Sequence, residues 1–143
     1  MNNIKVGYAL TGSFCTFEKS LTQMEKLKEK GYDLLPIMSY NAYTFDTRFG
    51  KATQFRDRIE KISEKKIIST IVEAEPIGPK GLTDVLIVLP CTGNTLAKLA
   101  NGIYDTPVTL AVKSHLRNQR PVILGVSSND SLSSTAKNIG LLL

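Results

Sequence analysis

The stretch "VLPCTGNTLAKLANGIYDTP", residues 88–107, decides how the rest of the chain is read. An apolar run ends at Pro90, gives way to a cysteine, two threonines, a glycine and an asparagine, and passes directly into a helical pattern. Residues 85–89 are continuously apolar after an aspartate, without polar alternation, as expected of a strand covered by helices on both faces. Leu96, Leu99 and Ala100 then recur at helical spacing over residues 95–101, and Gly102 stands where a helix end favours glycine. Thr106 and Pro107 read as the N-cap and first residue of another helix that reaches about Asn118.

Working outward, the chain opens in the same way. Residues 4–10 form a short apolar run with β-branched members, stopped by "TGS". Phe14, Phe17, Leu21, Met24 and Leu27 follow at spacings of three and four, and Gly31 closes that helix. Residues 34–38 read as a second strand, in which Pro36 predicts a sheet edge or a strand end. Residues 51–66 alternate charge sign around Phe55, Ile59 and Ile62, the pattern of an amphipathic helix with a solvated outer face. Residues 67–72 suggest another short strand and residues 122–126 a further buried one. The tail "SSNDSLSSTAKNIGLLL" reads as a polar loop and a short helix or strand. Strands alternating with helices predict an α/β fold: an open, mostly parallel sheet of four or five strands with helices on both faces. The apolar ending "GLLL" suggests that a final C-terminal strand and helix are lacking, or that a partner covers that surface.

A chain of 143 residues supports one domain, taken as 1–143. Its 42% apolar and 22% charged residues are ordinary for a globular protein. Eighteen Lys and Arg against thirteen Asp and Glu leave a net charge of +5, which suits small anions and falls short of a nucleic-acid footprint. No secretory signal and no run of roughly 18 apolar residues is visible, so a cytoplasmic protein without a membrane partner is expected. Two cysteines, Cys15 and Cys91, then imply reduced thiols, and a single histidine, His115, excludes metal sites built on paired imidazoles.

In parallel sheets ligands bind at the carboxyl ends of the strands. Four such ends carry small polar groups: Thr11-Gly12-Ser13, Ser39-Tyr40-Asn41, Cys91-Thr92-Gly93-Asn94-Thr95 and Ser127-Ser128-Asn129-Asp130. A phosphate uses free N–H groups at a helix start, glycine for close approach and Ser or Thr hydroxyls as donors. Each turn alone reads as well as a helix cap, whereas four together favour a site. No G-x-G-x-x-G occurs, since Gly7 and Gly12 lie five apart, and no Walker A lysine follows. A mononucleotide with a flat ring fits better than a dinucleotide or ATP, and the Asn94 amide suits a ring edge or a carboxylate. Cys91 reads as a small thiol lining this pocket. His115 shares a helical face with Val108 and Val112 and reads as a packed histidine. Lys113, Arg117 and Arg120 are equally explained by solvation or by attraction for carboxylates; Tyr40, Tyr43 and Phe45 either cover a ring or fill a loop.

"GYALTGSFCTF" and "PCTGNTLAKLANGIYDTPV" resemble the flavoprotein superfamily that includes flavin-dependent cysteine decarboxylases and flavin prenyltransferases. Within it the likeness is greatest to the family of dipicolinate synthase B subunits, and it continues through "AVKSHLRNQRPVILGVSSND" and "AKNIGLLL". The resemblance implies a Rossmann-like domain, FMN as cofactor, and assembly into trimers or dodecamers. Carried over by motif, Gly12, Ser13, Ser39, Thr92, Asn94 and Thr95 fall to the flavin or its phosphate, and Cys91 and Ser127 complete the cofactor-binding candidates. It further implies oxidation of dihydrodipicolinate, a small dicarboxylate, to pyridine-2,6-dicarboxylate during sporulation, together with an A subunit that binds NAD(P). Three departures bear on this. The decarboxylases carry a histidine ahead of the third strand, which "AEPIGPKGLTD" lacks; their proline-x-methionine-asparagine motif is missing near "GVSSND"; and Ser127 and Ser128 stand where prenyltransferases carry an arginine. FMN-dependent decarboxylation or prenyl transfer, and a non-catalytic assembly role, are the alternatives.

Overall fold

The computed structural model describes residues 3–143. Four parallel strands, β1 (Lys5–Leu10), β2 (Asp33–Met38), β3 (Val85–Thr92) and β4 (Val122–Ser127), form one sheet in the order β2-β1-β3-β4. The helices are α1 (Phe17–Glu29), α2 (Tyr40–Thr44), α3 (Ala52–Ser63), α4 (Ile71–Ala74), α5 (Gly93–Ala100), α6 (Pro107–Arg117) and α7 (Ser134–Leu142).

The period-two alternation of β1 explains the layering. Val6, Tyr8 and Leu10 point into a core with Phe17, Leu21 and Met24 of α1 and Phe55 and Ile59 of α3. Ala9 points the other way, into a core with Leu96 and Leu99 of α5 and Val108, Ala111 and Val112 of α6. The sheet is therefore sandwiched between two helical layers, the arrangement that parallel strands require to bury both faces. Gly7 permits close packing in this middle strand, since a Cβ there would come within 2.8 Å of Leu86 Cδ1.

Helix boundaries follow local chemistry. Thr106 caps α6 by accepting from the Thr109 N–H at 3.1 Å while the Thr109 hydroxyl accepts from Thr106 N–H at 3.0 Å, with Pro107 at the first helical position. Gly31 (φ +88) and Gly102 (φ +70) end α1 and α5 in the left-handed region, where a side chain is disfavoured.

The structure departs from sequence expectation in four places. Residues 67–72 do not form a strand: Ile68 makes one bridge to Ile37, and Thr70 then caps α4 by accepting from the Glu73 N–H. Residues 40–44 form a helical turn that lacks any apolar period to betray it. Helix α5 begins two residues earlier than its apolar pattern, because Thr92 is its cap. The fourth strand is only half-buried: Val122 and Leu124 pack on the α5/α6 side, while Ile123 is 54% and Val126 39% exposed. Pro36 lies in β2, which is indeed an edge strand, so its missing N–H costs no sheet bond on the open side.

Candidate functional site

Strand order reverses between β1, which continues to β2 on one side, and β3 on the other, and such a switch point leaves a crevice at the carboxyl ends of the strands. The two turns bordering it are fastened together by one side chain. The Thr11 hydroxyl, on a residue 1% exposed, donates to the Pro90 carbonyl at 2.8 Å and accepts from the Thr92 N–H at 2.9 Å. The Thr11 N–H also donates to the Pro90 carbonyl, at 3.2 Å.

Two adjoining hollows open there. The larger, about 520 Å³, lies among the ends of β1, β3 and β4 and the start of α7, with Ser13, Thr92, Asn94, Ser127, Asp130 and Thr135 on its walls. The smaller, about 280 Å³, is walled by Ser39, Asn41, Thr95, Lys98 and Thr106. Gly12, Thr92 and Asn94 border both hollows, so the two share one wall. Seven of the eight sequence candidates are brought together in this way: Gly12, Thr92 and Asn94 on the shared wall, Ser13 and Ser127 in the larger hollow, Ser39 and Thr95 in the smaller.

Cys91 is not part of the lining. It is fully buried in the core with Val88, Leu96 and Val112, and desolvation pushes its thiol up to about 12, so it is a packed, inert group. The alternation of β3 explains this: in a strand, neighbours face opposite sides, and Thr92 takes the position at the crevice.

The hydroxyls are engaged without being spent. Ser13 Oγ and Ser127 Oγ lie 2.7 Å apart, joining the ends of β1 and β4. Thr92 Oγ1 accepts from the Thr95 N–H at 3.1 Å and donates to Thr95 Oγ1 at 2.9 Å. Ser39 Oγ accepts from the Ala42 N–H at 3.3 Å. Each oxygen can still accept or donate elsewhere, and the first N–H groups of α5, on Gly93 and Asn94, have no acceptor within the helix. Gly93 also lets the backbone lie close to the opposite wall, since a Cβ there would come within 3.3 Å of Thr135 Oγ1.

The charges divide between the hollows. Asp130 is the carboxylate of the larger one: Ser128 Oγ and Thr135 Oγ1 each lie 2.5 Å from its Oδ1, and these bonds, Ser128 first, hold its carboxyl below the usual range. Lys98 is the cation of the smaller, with Nζ 2.8 Å from Asp105 Oδ1. Sequence reading places Asp130 in a strand-end turn without giving it a role, and passes over Lys98. Lys98 is recoverable from helical spacing, four residues beyond Asn94 and so on its face. Thr135 and Asn138 of α7, which also line the larger hollow, carry no such mark.

The remaining candidates lie elsewhere. His115 is 1% exposed, with Nε2 2.5 Å from Thr83 Oγ1 and Nδ1 3.3 Å from the Pro121 carbonyl. A carbonyl only accepts, so Nδ1 carries the proton and Nε2 accepts from Thr83, the arrangement of a neutral packed imidazole. Arg120 donates to the Thr83 carbonyl and Lys113 lies over the Tyr104 ring; neither lines a hollow. Tyr40 borders the smaller hollow, whereas Tyr43 stacks under Arg56 and Phe45 is exposed. Among the described residues there is no cluster of three or more His, Cys, Asp or Glu able to hold a metal, and no helix is long and apolar enough to cross a membrane.

The flavoprotein family model matches residues 1–139. The chain belongs to the flavoprotein family. It is 40% identical over 139 residues to the B subunit of dipicolinate synthase from Bacillus subtilis strain 168, a match that spans 97% of this chain and 70% of that protein. The crystal structure of the dipicolinate synthase B subunit from Bacillus halodurans superposes with a TM-score of 0.86 at 41% identity, covering 99% of this chain and 74% of the other. A dodecameric FMN-dependent UbiX-like decarboxylase from Escherichia coli O157:H7 shares the fold, with a TM-score of 0.80 at 21% identity over 97% of this chain and 75% of that one. The fold is thus the Rossmann-like flavoprotein fold, which is all that the likeness to the decarboxylase shows.

Proposed function

We propose that this flavoprotein-family chain is the FMN-binding B subunit of a dipicolinate synthase, acting with a nicotinamide-binding A subunit to oxidise dihydrodipicolinate to pyridine-2,6-dicarboxylate. The observation that carries the reading is the pair of hollows sharing Gly12, Thr92 and Asn94, found in a chain 40% identical to a subunit of that synthase.

The donor set fits FMN. Hydroxyls of Ser39, Thr95 and Thr106, the side-chain amide of Asn41 and the ammonium of Lys98 surround the smaller hollow, a set suited to phosphate oxygens. The larger hollow offers the Asn94 amide and the Ser13 and Ser127 hydroxyls, which suit the carbonyl and N–H edge of a flat heterocycle. Its volume falls in the usual range of about 300–1,000 Å³ for small-molecule sites.

When bound, FMN supplies a two-electron acceptor. Oxidising the dihydropyridine ring removes a hydride and a proton, and the chain's own part is to orient the ring and manage charge. Asn94 and the Ser13–Ser127 pair would hold the edge of the heterocycle, and the fastening of Thr11 to the turn after β3 keeps both walls in register. Asp130, held low by Ser128 and Thr135, is an anion near neutral pH and is a poor proton acceptor; the proton passes to water or to the nicotinamide-binding partner. Among the described residues neither a histidine nor an arginine lines either hollow, which favours this reading over decarboxylase or prenyltransferase chemistry.

Reconstitution tests the reading. The chain and its nicotinamide-binding partner together, with FMN, should turn dihydrodipicolinate over faster than the isolated partner does, and the isolated chain with isoprenyl phosphate or a peptidyl cysteine should be inactive. Full turnover by the partner without this chain, and no change in the chain's melting temperature with FMN, would point instead to a role in assembly.

A further inference from the structure

The division of charge between the hollows points to a residue that tells a phosphorylated flavin from an unphosphorylated one. Lys98 is the only cationic side chain lining either hollow among the described residues. It lies on α5 one turn beyond Asn94, so its stem rises along the same wall. Asp130, the carboxylate of the larger hollow, disfavours a second anion there, and among the described residues no carboxylate lines the smaller hollow beside the hydroxyls around Lys98.

The partner of Lys98 makes the assignment more specific. Asp105 lies in the loop before α6, outside the lining of both hollows, and binds Lys98 Nζ at 2.8 Å. Its side chain is 60% exposed and that of Lys98 24%. An ion pair this open to solvent contributes little to stability, so it holds the ammonium ready without binding it firmly. A phosphate offers three oxygens and more charge than a carboxylate, and can draw the ammonium away at small cost.

We propose that Lys98, held in wait by Asp105, is the specificity-determining residue that selects FMN over riboflavin by pairing with the phosphate in the smaller hollow. The inference rests on the flavin reading of the site. It concerns binding of the 5′-phosphate alone, and Lys98 takes no part in the redox step.

The test titrates FMN and riboflavin into the wild-type protein and into Lys98→Met, Lys98→Arg and Asp105→Asn, following flavin fluorescence, with the ligand-free melting temperature as the check on folding. Loss of a charge-assisted bond should weaken FMN binding by about tenfold or more in Lys98→Met. Riboflavin binding should change less than about twofold, because no contact to the ring is lost. Lys98→Arg should retain most of the preference, and Asp105→Asn should bind FMN at least as tightly as wild type. The FMN affinity of the wild type should fall with added salt and that of Lys98→Met should fall less. If Lys98→Met weakens both ligands equally, or neither, the selection by Lys98 is wrong while the flavin site stands. If the wild type binds neither ligand, the flavin reading fails and the inference falls with it.

Discussion

Replacing Thr11 by valine removes one hydroxyl and, with it, the fastening between the two turns that border both hollows. The shape is nearly conserved, so the effect reports on hydrogen bonds. The Pro90 carbonyl keeps its bond from the Thr11 N–H, but the Thr92 N–H loses its acceptor against a residue that is 1% exposed. A lost bond of this kind costs about 1 kcal/mol, and leaving the part-buried Thr92 N–H without its acceptor adds about 1 kcal/mol, the low end of the range for a buried donor, so a destabilisation of about 2 kcal/mol is expected. For a chain of this size that corresponds to a fall of roughly 6–8 °C in melting temperature. Thr11→Ser keeps the hydroxyl and loses only a methyl, and should cost less than about 1 kcal/mol. Urea denaturation of the three proteins near neutral pH measures the difference directly. FMN affinity should fall in Thr11→Val, because the turn carrying Gly12 and Ser13 is no longer fixed against the turn carrying Thr92 and Asn94. Should Thr11→Val match Thr11→Ser within about 0.5 kcal/mol, roughly the error of such measurements, the hydroxyl does not fasten the turns.

Gly12→Ala is expected to fold as stably as wild type, since an added Cβ meets only Asn41 and Phe14 at ordinary distance, 3.7 Å, yet it should weaken FMN binding because Gly12 borders both hollows; unaltered binding in a titration would separate Gly12 from the ligand. His115 should make stability depend on pH. Burial lowers its folded pKa below the ordinary 6.5, so the unfolded chain takes up the proton first; stability is complete above about pH 6.5 and is lost as pH falls from there toward the folded value. The urea midpoint of wild type should therefore drop more between about pH 7.5 and about pH 5.5 than that of His115→Gln, and equal drops would show that the imidazole is not held neutral. Cysteine labelling of the native protein should modify exposed Cys15 and spare Cys91, and FMN should slow the reaction of Cys15, which lines the larger hollow; rapid labelling of Cys91 would contradict its burial.

The layers of the fold were legible because apolar periodicity is long-ranged in the strands and helices that build the core. Tyr8, Phe17, Leu21 and Ile59 lie where their spacing puts them. What escaped was short or set by partners: five-residue α2 is too short to show an apolar period, although Ala42 reaches the core, and Ile68 is drawn to β2 for a single bridge. The half-exposure of Ile123 is likewise invisible, because an apolar run says that a strand packs on its neighbours but not on how many sides. The two hollows were foreshadowed at the strand ends, where four turns rich in Ser, Thr, Gly and Asn coincide although each alone reads as well as a helix cap. Cys91 illustrates the limit: adjacent in sequence to Thr92, it faces the opposite side of the sheet, and only the phase of the strand decides which of the two meets the crevice. The roles of Asp130 and Lys98 were hidden for another reason, since a charged side chain in a polar turn or on a helix surface looks the same whether it faces solvent or a cavity.

The central claim, that separate strand ends converge on one FMN site, is tested most directly by a crystal structure of the protein with FMN. The account predicts one flavin per chain, its phosphate beside Ser39, Thr95 and Lys98 and its ring against Asn94, Ser13 and Ser127. A flavin seated away from both hollows, or ordered hollows left empty at saturating FMN, would contradict it.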